Sequence, residues 1–295
     1  GFSRVGESWE LSGMPGSESV VAEGPWAGST LSELIGRFGA ELLGKANYAR
    51  FGQEFPLLVK FIDAREDLSI QVHPDDELAR KRHGKSGKCE MWYVLEAEPG
   101  ASLLTGFSRP IAPAEYERRV ADNTLTDVLN RQAIASGDVF YLPAGRVHSI
   151  GKGSFIVEIQ QSSDITYRIY DFDRRDAAGN SRELHTELAR EAIDFESSEN
   201  SRITYAPENN QEVRLVTTPY FTTSLYTLTA RTRCDWSATD SFVAIVLLQG
   251  SGSLTDNEGN RIDVRQGETW LLPASTQWTE ITPHTAPLRL LTSRI

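Results

Sequence analysis

Cysteine is nearly absent: Cys89 and Cys234 are the only two in 295 residues. Two thiols cannot build a disulfide framework or a four-thiolate metal site, so a reducing compartment, the cytoplasm, is the expected location. Long apolar runs are missing too; no stretch approaches the roughly 18 residues a membrane-spanning helix needs. Basic residues are outnumbered. With 30 Lys and Arg against 41 Asp and Glu, the formal charge is −11. That is the wrong sign for binding a nucleic-acid backbone. Neither a nucleic acid nor a membrane is expected as a partner, and an anionic substrate would need a local cationic pocket. No signal peptide opens the chain, which begins at Gly1 without an initiator Met, so a segment upstream of Gly1 is expected.

What is present fits two folded domains of ordinary core size. Residues 1–30 are rich in Gly, Ser, Pro and Glu and predict loops with short strands, among them Ser8-Trp9-Glu10-Leu11. Leu31, Leu34, Ile35, Phe38, Leu42 and Leu43 recur at helical spacing behind Thr30 as N-cap and Glu33 as its box partner, which predicts a helix over 30–46. A second helix is expected over 75–84, and a helical pair over 113–130 with Tyr116, Val120, Leu125, Val128 and Leu129 as its apolar stripe. Strand patterns cover Leu57–Ile62, Leu68–His73, Met91–Leu95, Ser102–Phe107, Val139–Leu142 and Phe155–Gln160, and resume at about Val213. The fold class is therefore mainly β, two barrels with a small helical addition in or beside the first. Residues 172–202, rich in Arg, Asp, Asn and Ser, are expected to form the connection. This gives a first domain over 1–185 and a second over 186–295.

An internal repeat links the two halves. Gly137-Asp138-Val139-Phe140-Tyr141-Leu142-Pro143-Ala144-Gly145-Arg146-Val147-His148 aligns without a gap on Gly267-Glu268-Thr269-Trp270-Leu271-Leu272-Pro273-Ala274-Ser275-Thr276-Gln277-Trp278. The position that holds His148 in the first copy holds Trp278 in the second, so the second barrel is expected to lack metal ligands. The first copy resembles the second signature motif of the cupin superfamily, small β-barrels that hold a metal in the mouth.

A divalent metal needs several N, O or S donors converging on one point. Period-2 alternation puts Gln71 and His73 on one strand face, and Glu90 and His148 flank neighbouring strands. Two imidazoles, a carboxylate and an amide oxygen suit Zn²⁺ and would also accept Fe²⁺ or Mn²⁺. Lys88, Glu90 and Trp92 share one face of an otherwise apolar strand entry. His83, His185 and His284 stand in polar contexts and are expected to be ordinary surface or satisfied residues.

Beyond the cupin motif, Leu68-Ser69-Ile70-Gln71-Val72-His73-Pro74-Asp75, Gly87-Lys88-Cys89-Glu90-Met91-Trp92-Tyr93-Val94-Leu95 and Thr166-Tyr167-Arg168-Ile169-Tyr170-Asp171-Phe172-Asp173-Arg174 resemble type I mannose-6-phosphate isomerases in their shorter bacterial form. Gly6-Glu7-Ser8-Trp9-Glu10-Leu11-Ser12 fits the same family. The resemblance implies one zinc per chain on Gln71, His73, Glu90 and His148, an active-site Arg168, and pocket residues Lys60, Ser69, Lys88 and Glu158. The family's upstream segment bearing Trp-Gly-Gly has no counterpart here, which leaves part of the barrel wall or pocket rim unaccounted for.

The implied substrate is a small sugar phosphate, and the implied reaction moves a proton between C1 and C2 through an enediol. Arg168 would stabilise the enediolate, and Ser69 and Lys60 would contact the phosphate. Glu158, a lone carboxylate in an apolar strand, or Lys88, with a pKa depressed by the nearby metal, would carry the proton. Two other classes fit a cupin: a metal-dependent dioxygenase, against which Gln71 argues because a second His usually stands there, and a non-catalytic sugar-phosphate binder.

Overall fold

The computed structural model describes residues 5–175, 178–196 and 200–295. Two compact units divide the chain: unit 1 is Gly1–Ser8 with Val59–Ile203, and unit 2 is Trp9–Leu58 with Thr204–Ile295.

Unit 1 is a barrel of two sheets. Its strands are β1 (Glu7–Ser12, which runs on into unit 2), β2 (Leu57–Ala64), β3 (Ile70–Val72), β4 (Glu90–Ala97), β5 (Ser102–Phe107), β6 (Leu129–Ala133), β7 (Val139–Leu142), β8 (His148–Ile150), β9 (Ser154–Gln161), β10 (Tyr167–Tyr170) and β11 (Arg202–Ile203). One sheet has the order β1-β2-β9-β4-β7-β11 and the other β10-β3-β8-β5-β6. Alternation along each strand decides what fills the interior. Ile62, Ala64, Trp92, Val94, Phe140, Leu142 and Ile156 from the first sheet meet Leu103 and Ile150 from the second in one buried cluster. Above it, in the same alternating positions, the strands place polar side chains.

Three helices belong to this unit. Helix α4 (Asp76–His83) is capped by Asp75, whose carboxylate accepts from the Leu78 N–H at 2.8 Å. The expected helical pair is α5 (Pro113–Ala121) followed by one 3₁₀ turn over Leu125–Val128, with Leu129 already opening β6. Its apolar stripe is buried as expected, in a cluster that also takes Ile70, Val72, Tyr167 and Ile169 from the outer face of the second sheet. The stretch 172–202, expected to form the connection, is more than irregular chain among its described residues. It carries α6 (Thr186–Ala192), and Ala189 and Ile193 are buried in that same cluster. Its apolar face is only a few residues wide, too short to stand out among Arg and Glu.

The helix expected over 30–46 is three short helices, α1 (Leu31–Phe38), α2 (Ala40–Leu43) and α3 (Lys45–Phe51), separated by Gly39 and Gly44. Both glycines take positive φ, 50° and 95°, so each turns the chain where a helix would need negative φ. The Thr30 capping box is present, with both reciprocal bonds made. These helices belong to unit 2 rather than to the first barrel. The Asp240 carboxylate accepts from the Lys45 and Ala46 N–H groups at 2.7 and 3.0 Å.

The barrel of unit 2 comprises β12 (Glu212–Thr217), β13 (Thr222–Leu228), β14 (Thr232–Asp235), β15 (Val243–Gln249), β16 (Ser251–Asp256), β17 (Arg261–Arg265), β18 (Thr269–Leu272), β19 (Trp278–Pro283) and β20 (Leu288–Arg294). Its sheets have the orders β12-β13-β20-β15-β18 and β14-β19-β16-β17. Strand for strand this repeats β1-β2-β9-β4-β7 and β3-β8-β5-β6, so the sequence repeat extends to whole-barrel topology. Among the described residues no helix is long and apolar enough to cross a membrane.

Candidate metal centre

Residues from three strands and the turn after one of them converge at the mouth of the first barrel. Glu90 opens β4, His148 opens β8, Gln71 is the central residue of β3, and His73 follows β3 immediately. The turn Pro143–Gly145 is tied to this corner, since the Gly145 N–H donates to the His73 carbonyl at 2.9 Å. Gln71 is paired in register with His148, so their side chains share one face.

Both imidazoles are locked in orientation. His73 Nδ1 lies 2.8 Å from the Ile165 carbonyl oxygen and His148 Nδ1 lies 2.7 Å from that of Arg146. A carbonyl only accepts, so each Nδ1 carries the hydrogen and each Nε2 keeps a lone pair. Those lone pairs point at Glu90: Oε1 is 3.1 Å from His148 Nε2 and Oε2 is 3.4 Å from His73 Nε2. All three side chains are buried, Glu90 fully. Glu90 Oε2 has the Lys88 ammonium at 2.7 Å, whereas Oε1 faces His148 Nε2 acceptor to acceptor. Acceptors converging in a dry pocket call for a further cation. His73, Glu90 and His148 offer ligand atoms that all lie within 4.8 Å of one another, and no other such group occurs among the described residues. The Gln71 amide joins them, its Nε2 being 3.3 Å from His148 Nε2; a half turn of the amide presents its oxygen instead.

Burial is the largest influence on both rings. It lowers the pKa of His73 to about 3, with Lys88 adding to the effect, and it lowers that of His148. Burial alone would raise Glu90, yet Lys88, His148 and His73 together hold it well below the usual carboxylate range. The site thus presents neutral imidazoles and an ionised carboxylate, the protonation states a metal requires.

A ladder of alternating charge leads away from the group. Lys88 Nζ is 2.7 Å from Glu90 Oε2, 3.2 Å from His73 Nε2 and 3.7 Å from Glu158 Oε1. Lys60 Nζ is 3.4 Å from Glu158 Oε1 and 3.7 Å from Glu7 Oε2. Trp92 Nε1 donates to the other Glu158 oxygen at 2.9 Å. One expectation changes. Glu158 is not a lone carboxylate in an apolar strand, because Lys60, Lys88 and Trp92 surround it. For Lys88 in the metal-free chain, burial pulls the pKa down, but Glu158 and Glu90 together lift it above the ordinary lysine value.

Arg168 and Ser69 stand outside this ladder. Arg168 is in register with Gln71 and shares its strand face, while its Nη1 donates to the Glu183 carbonyl at 3.0 Å. Ser69 is buried just ahead of β3. Of the other histidines, His83 Nε2 pairs with the Tyr167 hydroxyl at 2.8 Å and His185 Nδ1 accepts from the Arg168 N–H at 3.2 Å. Glu7 and Trp92 were not recognised as neighbours of Glu158, since only the pairing of β1, β2, β9 and β4 brings them there.

The second barrel holds no counterpart of this centre. Trp278 is in register with Asp235 as His148 is with Gln71. Val243, opposite Leu272, takes the place of Glu90, opposite Leu142. Thr292, opposite Ile245, takes that of Glu158, opposite Trp92. Arg233 packs its guanidinium 4.0 Å from the Trp278 ring centroid.

Fold and site together define a cupin-type two-barrel protein with one buried mixed N/O metal-binding group. Residues 3–105 match phosphomannose isomerase type I, catalytic domain. The mannose-6-phosphate isomerase of Streptococcus mutans is 35% identical over 270 residues, 91% of this chain and 83% of its own. The crystal structure of the mannose 6-phosphate isomerase from Bacillus subtilis superposes with a TM-score of 0.87 at 31% identity, covering 98% of this chain and 90% of that one. A putative mannosephosphate isomerase from Archaeoglobus fulgidus shares the fold, with a TM-score of 0.78 at 21% identity over 99% of this chain and 88% of its own. The chain belongs to the type I phosphomannose isomerase family.

Proposed function

We propose that the chain is a mannose-6-phosphate isomerase, an aldose–ketose isomerase interconverting mannose 6-phosphate and fructose 6-phosphate. The observation that carries this reading is the buried His73–Glu90–His148 group with its lone pairs converging, in a chain 35% identical to a mannose-6-phosphate isomerase. The relatives named above are isomerases, which favours this over the oxygenase and the non-catalytic readings.

Gln71, His73, Glu90 and His148 would hold one Zn²⁺, the metal that two imidazoles, a carboxylate and an amide oxygen suit. Bound there, it would supply Lewis-acid polarisation at the substrate's C1 and C2 oxygens. The rest of the chemistry falls to side chains. Glu158, ion-paired and oriented by the Trp92 N–H, is the carboxylate placed to take the proton from one carbon and return it to the other through the enediol. Lys88, paired with Glu158 and Glu90, would serve as a donor to a substrate oxygen. Arg168 stabilises the enediolate charge, and Lys60 and Ser69 contact substrate oxygens. The two buried, unpaired cysteines are in keeping with a cytoplasmic enzyme.

A coupled assay of mannose 6-phosphate turnover in the purified protein, after chelation and again after zinc return, tests the reading. Activity should vanish and come back with the metal, and His148→Ala should not recover it. Full turnover by metal-free protein, or by His148→Ala, overturns the assignment.

A further inference from the structure

Positive charge is spent unevenly around the site. Lys60 and Lys88 are each already paired with carboxylates, among Glu7, Glu158 and Glu90, so neither lysine is free to hold a phosphate dianion in a chain of net charge −11. The surplus lies at the end of β10. Asp171, only 5% exposed, accepts from Arg174 through Nε at 3.1 Å and through Nη2, and from Arg182 through Nε at 2.7 Å and through Nη2. Arg174 is held again by its Nη1 bond to the Asp67 carbonyl at 2.7 Å.

Arg168 is part of the same group. Burial lowers its pKa most, and the proximity of Arg182 and Arg174 lowers it further against the pull of Asp171. Two guanidinium groups thus close on one carboxylate, and the Arg168 guanidinium is held beside them by its bond to the carbonyl of Glu183, the residue after Arg182, at 3.0 Å; the Glu183 carboxylate is turned to solvent, 3.8 Å from His185. Arg168 keeps a buried Nε with no partner, on the strand face it shares with Gln71 of the metal group. Like charges crowd in this way at a site that receives an anion, and planar guanidinium forks match phosphate oxygens.

We infer that Asp171 is a positioning residue: it gathers Arg174 and Arg182 beside Arg168 and so builds the end of the substrate site that anchors the phosphate. The inference rests on the isomerase reading above and deepens it. It assigns the phosphate to the arginines rather than to Lys60, and gives Arg182, which neither motif nor spacing marked, a binding role.

The test compares wild type, Arg182→Ala, Arg182→Lys and Asp171→Asn in steady-state turnover of mannose 6-phosphate, with inorganic phosphate as competing anion and metal content measured throughout. Arg182 has a side chain 53% exposed, so its removal spares the fold. In Arg182→Ala, KM and the phosphate inhibition constant should rise together by about tenfold, the worth of one charge-assisted bond, with kcat within about twofold and metal unchanged. Arg182→Lys should recover part of the loss. Asp171→Asn should raise KM and also lower kcat, because Arg168 loses its neighbour. An active wild type whose KM and phosphate inhibition are untouched by Arg182→Ala overturns this inference alone. An inactive, metal-loaded wild type overturns the isomerase reading instead.

Discussion

Gln71 and His148 face each other across β3 and β8, and the same two positions in the second barrel hold Asp235 and Trp278. The second barrel therefore has the same strand pairing without the imidazole. Restoring one donor should not restore a site, because Val243 still stands where Glu90 does in the first barrel. Trp278→His is expected to leave metal stoichiometry at one per chain by elemental analysis. Binding of a second metal by this variant would contradict the account of the second barrel.

Glu158 offers a sharper division of labour. It is buried beside the metal group without touching its imidazoles through any hydrogen bond, and Trp92 Nε1 fixes one of its oxygens at 2.9 Å. Glu158→Gln keeps that acceptor and the side-chain volume while removing the base. The expected result is a fall in kcat of about 10²- to 10⁴-fold, the range of general-base catalysis, at unchanged metal content. Loss of metal in parallel with activity would move Glu158 from proton carrier to support of the site.

How much of this was legible beforehand follows from what each signal depends on. Alternation is local, so Ser102–Phe107 and Val139–Leu142 were delimited by sequence alone, and the Gly137–His148 repeat marked both barrels. His73, Glu90 and His148 were legible because each sits at or just past a strand end inside a motif, and Gln71 because it alternates with His73 along β3. The break of the first helix into three was not. Gly39 and Gly44 break a stripe that reads as one continuous helix, and the capping of α3 by Asp240 depends on a residue far along the chain. Neither the ladder from Glu7 to Glu90 nor the clasp of Asp171 on Arg174 and Arg182 has a sequence period: the ladder arises from strands that meet only in the folded barrel, and the clasp from irregular chain after β10.

The helical addition gives a control for effects on stability alone. Thr30 and Glu33 satisfy each other's backbone N–H groups, at 3.2 and 2.8 Å. Removing the Oγ1 acceptor in Thr30→Ala should destabilise the protein by about 1 kcal/mol, read as a lower urea midpoint, with metal content and KM unaltered. A change in KM would show that α1 reaches the catalytic machinery.

The buried imidazoles make the metal-free protein acid-sensitive, and the sign can be worked out. In the unfolded chain His73 titrates near 6.5, whereas in the folded, metal-free chain burial and then Lys88 lower it to about 3. Between those values the unfolded state binds a proton that the folded state refuses, so stability rises with pH and is lost as pH falls through the window. A single fully displaced group gives a slope of about 1.4 kcal/mol per pH unit. His148, lowered by burial, acts in the same direction. Glu90, held below its ordinary value of 4.5, adds its share only under more acid conditions. Urea midpoints of metal-free protein should therefore fall steadily from about pH 6.5 to 5, and His73→Asn, which cannot take up the proton in either state, should show a shallower decline. A midpoint flat across that interval in wild type would mean that the imidazoles are not held neutral, and would remove the argument that their lone pairs await a metal.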